Sequence, residues 1–296
     1  MNIDIHIKAQ NNWLGAGLAP TIDIMNRFKA CASGPVNLVF SDTSFLYPST
    51  LMSLIVFLAR CDIKYSIANP TNYLKTIKFS EGGVRPEYLG ADRFRKMMDK
   101  YTNKNYIPII NFSPSARTNE KEVVASVIEL ILTRQLQIKP NVANGLRYMI
   151  SETIDNITEH SDSERAYIFA QSYPTQGFLD ICIADNGITL LGSYRKLPNC
   201  DLSNDSEAIR AANQRISSKN LPEAENRGYG IYTTKRMLLE GLSGQYMMLS
   251  GSAMFIMGQG RNNYYTFPAG IRWEGTLVAL RIPYKADNFL YTNYFE

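Results

Sequence analysis

Glu152-Thr153-Ile154-Asp155-Asn156-Ile157-Thr158-Glu159-His160 is the stretch whose reading decides the fold. It lies late in a long apolar-periodic helix that Pro140 opens. At 3.6 residues per turn, Glu152, Asn156 and His160 stand four apart on one helical face. Leu146, Ile150, Thr153 and Ile157 form the neighbouring stripe, which suits a core. A carboxylate, an amide oxygen and an imidazole are thus lined up beside apolar packing. Alone, the face reads equally well as a solvated polar stripe. Three further segments downstream change the weighing. Asp185-Asn186-Gly187 follows a strand-like run, Arg227-Gly228-Tyr229-Gly230-Ile231 opens a helix, and Gly275-Thr276 opens a last strand.

Each segment has a chemistry of its own. A carboxylate just past a strand end, as Asp185 is after Phe178 to Ala184, can accept the exocyclic amine of adenine, and Gly187 lets a base approach the backbone. Taken alone, Asp-Asn-Gly is a hairpin turn. The return strand is missing, however, because Thr189-Leu190-Leu191-Gly192 leads into a long polar segment. Gly228 and Gly230 at a helix start would present free amides and the positive helix end to phosphates. Magnesium takes hard oxygen ligands and keeps several waters, so the Asn156 amide oxygen plus phosphates is a sufficient set. Glu152, one turn earlier, would face the γ-phosphate side and orient or deprotonate water. Lys219 and Arg227 are the nearest cations, and His160 reads either as a site residue or as a helix-end histidine.

In this order and spacing the four motifs resemble the histidine-kinase-like (GHKL, Bergerat-fold) ATPases over residues 118–285. The resemblance implies an ATP and Mg2+ site with Glu152 as general base and Asn156 as the metal ligand. Asp185 and Gly187 would hold adenine, with Thr276 contributing through water. Arg227, Gly228, Tyr229, Gly230 and Ile231 would meet the phosphates, under a lid at about 188–227. Thr189 departs from the family, which has a second glycine there. The implied fold is an α/β sandwich, a mixed sheet covered by helices, over 116–296.

The residues before it read as a smaller α/β domain, 1–115. Ile3 to Ile7, Val36 to Phe40 and Ile63 to Ala68 have strand patterns. Thr21 to Ala30 and the strongly apolar Ser49 to Cys61 read as helices. That order weakly resembles a STAS domain, the fold of anti-sigma antagonists. Where an antagonist carries a phosphorylatable serine turn, this chain has Tyr47-Pro48-Ser49-Thr50, so Ser49 is expected to cap the helix. Residues 71–115 give the least pattern, apart from a short helix at Phe94 to Lys100 and an edge strand at Ile107 to Phe112. The boundary is set near Pro114 to Thr118.

Composition sets the outer limits. The chain of 296 residues, 45% apolar and 20% charged with a net charge of +4, is ordinary for a globular protein and gives no support to nucleic-acid or membrane binding. Four scattered cysteines without a CxxC, and a start without a signal core, point to a reduced, cytoplasmic, non-zinc protein. Two histidines and no phosphoacceptor hairpin exclude a sensor histidine kinase. What remains is an ATP-hydrolysing regulatory switch acting on a protein partner or homodimer, a serine/threonine kinase of the anti-sigma type acting on a STAS-like partner, or an ATP-binding adaptor without turnover.

Overall fold

The computed structural model describes residues 2–5, 14–15, 18–31, 35–40, 46–115, 119–214, 229–258, 260–284, 286 and 288–295. The fold is mixed α/β. β1 (Asn2–Ile5), α1 (Leu18–Cys31), β2 (Val36–Phe40), α2 (Pro48–Arg60) and β3 (Tyr65–Ala68) build a parallel three-stranded sheet in the order β1-β2-β3. α3 (Asn72–Thr76), α4 (Pro86–Leu89), α5 (Ala91–Asp99) and β4 (Ile110–Phe112) arise from the stretch with the least sequence pattern. There follow α6 (Glu120–Leu136), α7 (Pro140–His160), β5 (Ala166–Tyr173), β6 (Phe178–Asp185), α8 (Leu190–Tyr194) and α9 (Asp205–Asn213). α10 (Tyr229–Arg236) runs into a π-helical turn, Met237–Gly241, before β7 (Gln245–Gly251), β8 (Ala253–Gly258), β9 (Arg261–Thr266) and β10 (Trp273–Pro283).

The second sheet has seven strands in the order β4-β5-β6-β10-β7-β8-β9, and every neighbouring pair is antiparallel. The expectation of a mixed sheet is therefore corrected. Short turns join β5 to β6, β7 to β8 and β8 to β9, and such connections allow only antiparallel pairing. β4 is an edge strand, as its preceding Pro108 suggests. β9, the opposite edge, has no apolar alternation because nearly all of it faces solvent.

Alternation along β6 separates two buried faces. Ile183 and Asp185 look into a cleft beside α7, whereas Asp180, Cys182 and Ala184 point to the other side. α2 packs on that other side, against β5, β6 and β10. Tyr47, just before α2, lies close enough to the Asp180 and Arg281 charges to feel them. With both faces covered, β6, β7 and β10 are buried on both, which explains their apolar runs, interrupted by polar residues such as the paired Asp180 and Arg281. α2 is itself buried from Pro48 to Leu58, since α1 covers the side turned from the sheet. Its N-cap is Tyr47, not Ser49: Pro48 takes the first helical position, and the Ser49 hydroxyl donates to the Leu14 carbonyl at 3.2 Å.

One apolar core runs through both sheets, from Leu14 to Phe289. The expected boundary at 115/116 falls between β4 and α6, and β4 pairs with β5 beyond it. Within the core, Arg281 donates to Asp180 through Nε (2.7 Å) and Nη2 (2.8 Å), with the guanidinium 4.0 Å from the Phe178 ring centre. Among the described residues, no helix is long and apolar enough to cross a membrane.

Candidate functional site

The cleft opens between α7, the start of α10, α8 and the β6-β10-β7 centre of the large sheet. It encloses about 930 Å³ of atom-free space, open solvent at its mouth included. Ile183, Tyr246, Met248 and Val278 give it an apolar floor, while Asn156, His160, Asp185 and Thr276 supply polar groups. The stripe expected to face the core is buried, with Leu146 and Ile150 inside the core and Thr153 and Ile157 at the cleft wall. That packing fixes the rotation of α7 and turns Glu152, Asn156 and His160 toward the cleft side as half-buried residues.

Asp185 is fully buried at the end of β6. Its Oδ1 accepts the Gly187 N–H at 2.8 Å, and its Oδ2 accepts the Thr276 N–H at 3.1 Å. Burial pushes its carboxyl up to about 7, against the two N–H donors and the Arg60 charge, which favour the ionised form. The Thr276 N–H can reach Asp185 because β10 is bulged between Trp273 and Thr276. Gly275 in that bulge has φ +91, and a side chain on it would overlap the Asp185 carbonyl oxygen. The bulge is closed from the far side by Ser250, whose hydroxyl donates to the Gly275 carbonyl (2.9 Å) and accepts the Leu190 N–H (2.9 Å).

Glu152, Asn156 and Gly230 meet at the other end of the cleft. A Cβ on Gly230 would overlap the Glu152 carboxylate and stand 3.6 Å from Asn156 Nδ2. Asn156 Nδ2 donates to the Glu152 carbonyl at 2.7 Å, so its Oδ1 is the atom left for a ligand. Tyr148 bonds both Glu152 and Thr233, and burial, then the Glu152 charge, pushes its phenol up to about 12. The Glu152 carboxylate is thereby linked through Tyr148 of α7 to Thr233 of α10. Among the described residues, no group of three or more His, Cys, Asp or Glu is placed to hold a metal without help from a ligand.

The predicted site residues divide accordingly. Asn156, Asp185, Gly230, Ile231 and Thr276 line one cleft, and His160, the last residue of α7, lines it too. Glu152 touches Gly230 at its edge. Gly187 turns away from the open space: its backbone binds Asp185, and the place of its missing side chain is filled by the Ser161 carbonyl. Tyr229 opens α10. Arg227, Gly228 and Lys219 lie outside the described residues. The expected lid, as far as it is described, is folded: α8 and α9 share a small apolar cluster of Leu191, Tyr194, Ala208, Ala211 and Ala212. Buried Asp205 pins α9 down, accepting from Ser252 N, Ser252 Oγ (both 3.0 Å) and Arg272 Nη1 (2.6 Å). The Arg272 Nη2 group reaches on to Thr189 Oγ1, the N-cap of α8, at 3.3 Å.

Comparison of the chain with protein-family models, with curated proteins and with solved structures gives no match.

Two contributors had no signal in the sequence. Ser250 sits at a turn that reads only as a hairpin. Arg60, from the end of α2, donates through Nη1 to the Asn186 carbonyl and, at 2.9 Å, to the Gly187 carbonyl, 126 and 127 residues away in the chain.

Proposed function

We propose that this protein binds ATP with magnesium in the cleft and is an ATPase of the histidine-kinase-like type, working as a nucleotide-dependent regulatory switch on a protein partner or a second copy of itself. The observation that carries the reading is Asp185: a fully buried carboxylate lining the cleft between α7, α8, α10 and the large sheet, held by two backbone N–H groups. A buried carboxylate is expensive unless a donor meets it, and the exocyclic amine of adenine is such a donor. Guanine presents a carbonyl oxygen at that place and would be repelled. Ile183, Met248 and Val278 supply the apolar surface against which a base packs.

At the other end, the arrangement suits a triphosphate. The first turn of α10 brings N–H groups near Gly230, whose missing side chain leaves room for the Glu152 carboxylate beside them. Asn156 offers a single hard oxygen, which fits magnesium shared with phosphates and water better than a closed protein cage. The ion would supply charge neutralisation at the phosphates. Glu152, steadied by Tyr148, would accept a proton from the attacking water or from a substrate hydroxyl.

Hydrolysis, transfer to a serine or threonine of a STAS-like partner, and binding without turnover differ only in what reaches Glu152. Incubation with γ-labelled ATP, alone and with cell extract, separates them. Free labelled phosphate is the expected product. A labelled protein would replace the switch by a kinase, and neither product would leave an adaptor.

A further inference from the structure

Arg60 is the last residue of α2, in the N-terminal α/β unit, yet its bonds are made to the turn that follows the cleft residue Asp185. One Nη1 group donates to two successive carbonyls, those of Asn186 and Gly187, the turn that directly follows Asp185. The N–H groups of this turn go elsewhere: Asn186 N to the Arg165 carbonyl, Gly187 N to the Asp185 carboxylate, Ile188 N to the Ser161 carbonyl. The guanidinium therefore staples on its carbonyl side a loop whose N–H groups are tied to the residue before β5, to the end of β6 and to the residue after α7. The helix that carries Arg60 is held in place, because α2 is buried from Pro48 to Leu58 between α1 and the large sheet, with Ala59 and Arg60 exposed at its end. An exposed arginine at a helix end is ordinarily hydrated and variable in direction; Arg60, though exposed, directs its guanidinium onto the loop carbonyls.

We infer that Arg60 is a positioning residue for base recognition: by holding the Asn186 and Gly187 carbonyls it fixes the turn that aims Asp185, and it makes nucleotide affinity depend on how α2 is seated against the sheet. This rests on the adenine-nucleotide reading of the cleft. Two further observations agree with it. The Arg60 charge favours the ionised, amine-accepting form of Asp185. The Gly187 N–H, whose carbonyl Arg60 holds, is one of the two donors that orient the carboxylate. The N-terminal unit thus reaches the site without contributing a wall to it, and whatever displaces α2 would loosen recognition of the base.

The test uses the full chain as parent, Arg60→Ala and Arg60→Lys. Calorimetry is run with magnesium-ATP and with inorganic tripolyphosphate, and amide hydrogen exchange is followed over residues 185–189 without nucleotide. Charge-assisted bonds from an exposed arginine are modest, so Arg60→Ala should weaken ATP roughly three- to tenfold. Tripolyphosphate, which has no base, should bind as in the parent. Exchange at Gly187 and Ile188 should quicken, the unfolding midpoint should hold, and Arg60→Lys should recover part of the affinity. ATP binding and exchange unchanged in Arg60→Ala would overturn the inference while leaving the cleft assignment intact. So would an equal loss for ATP and tripolyphosphate with a lowered unfolding midpoint, which marks a role in folding alone. A parent that binds no adenine nucleotide overturns both readings together.

Discussion

Asp185→Asn is the substitution for which the structure gives the fullest arithmetic. The carboxyl is fully buried, and it holds its proton up to about 7 in the folded protein, against an ordinary value of 3.8. The folded state therefore binds a proton that the unfolded chain has already released over most of the range between these values. Folding takes up that proton, so stability is highest below the unfolded value and is lost as pH rises toward the folded one. The full shift is worth about 4 kcal/mol, of which roughly 2–3 kcal/mol is lost between about pH 5 and about pH 8. Asparagine removes this dependence. It also has one oxygen for two donors, so its NH2 must face the N–H of Gly187 or of Thr276, at a cost of about 1–3 kcal/mol. Urea denaturation of parent and variant across that pH range is the assay. The variant should be the less stable protein at the acid end and should draw level with the parent, or pass it, at the alkaline end. A stability difference that stays constant with pH would refute the burial argument, since other titrating groups, Glu120 among them, cancel in the comparison.

Other outcomes follow from the same geometry. Glu152→Ala should retain ATP and lose turnover by ~100-fold or more, the share general-base catalysis usually contributes; steady-state phosphate release alongside calorimetry measures both, and an equal loss of affinity and rate would count against the role. Gly230→Ala places a methyl on the Glu152 carboxylate and should lower turnover by at least ~10-fold while the unfolding midpoint barely moves, because the site lies at the cleft edge rather than in the core. Arg281→Ala strands Asp180 as an unpaired charge inside the sheet and should cost about 3–5 kcal/mol by denaturant unfolding. Limited proteolysis without nucleotide should spare residues 190–213, where α8 and α9 are already packed; rapid cutting there would show that this packing is weak.

What was legible in the sequence was whatever short spacing encodes. The i, i+4 placement of Glu152, Asn156 and His160 survives because their partners Leu146, Ile150, Thr153 and Ile157 are buried on the next stripe of the same helix. Asp185 was legible from its place at the end of an apolar run, and Thr276 from the glycine before it. Contacts made across the chain were not. Arg60 looks like an ordinary cation at a helix end, and only the packing of α2 on the back of the sheet brings it to the Asn186–Gly187 turn. Likewise, a boundary at 115/116 could be read from a polar interruption although β4 hydrogen-bonds across it, a long-range pairing with no local signal. The polar segment after Gly187 suggested a lid by composition. In its described part, the segment is held by long-range bonds of Asp205 to Ser252 and Arg272, which no local pattern announces. Gly187 is a third case: the glycine is needed, but for the Ser161 carbonyl rather than for a base.

The central claim is that the buried Asp185 carboxylate reads adenine. Calorimetric titration of the parent protein and of Asp185→Asn with magnesium-ATP and with magnesium-GTP tests it most directly. The account predicts a single saturable ATP site in the parent, little or no binding of GTP, and ATP affinity reduced by at least ~10-fold in the variant, the loss of one charge-assisted hydrogen bond. Equal affinity for the two nucleotides, or ATP binding that is the same in Asp185→Asn as in the parent, would contradict it.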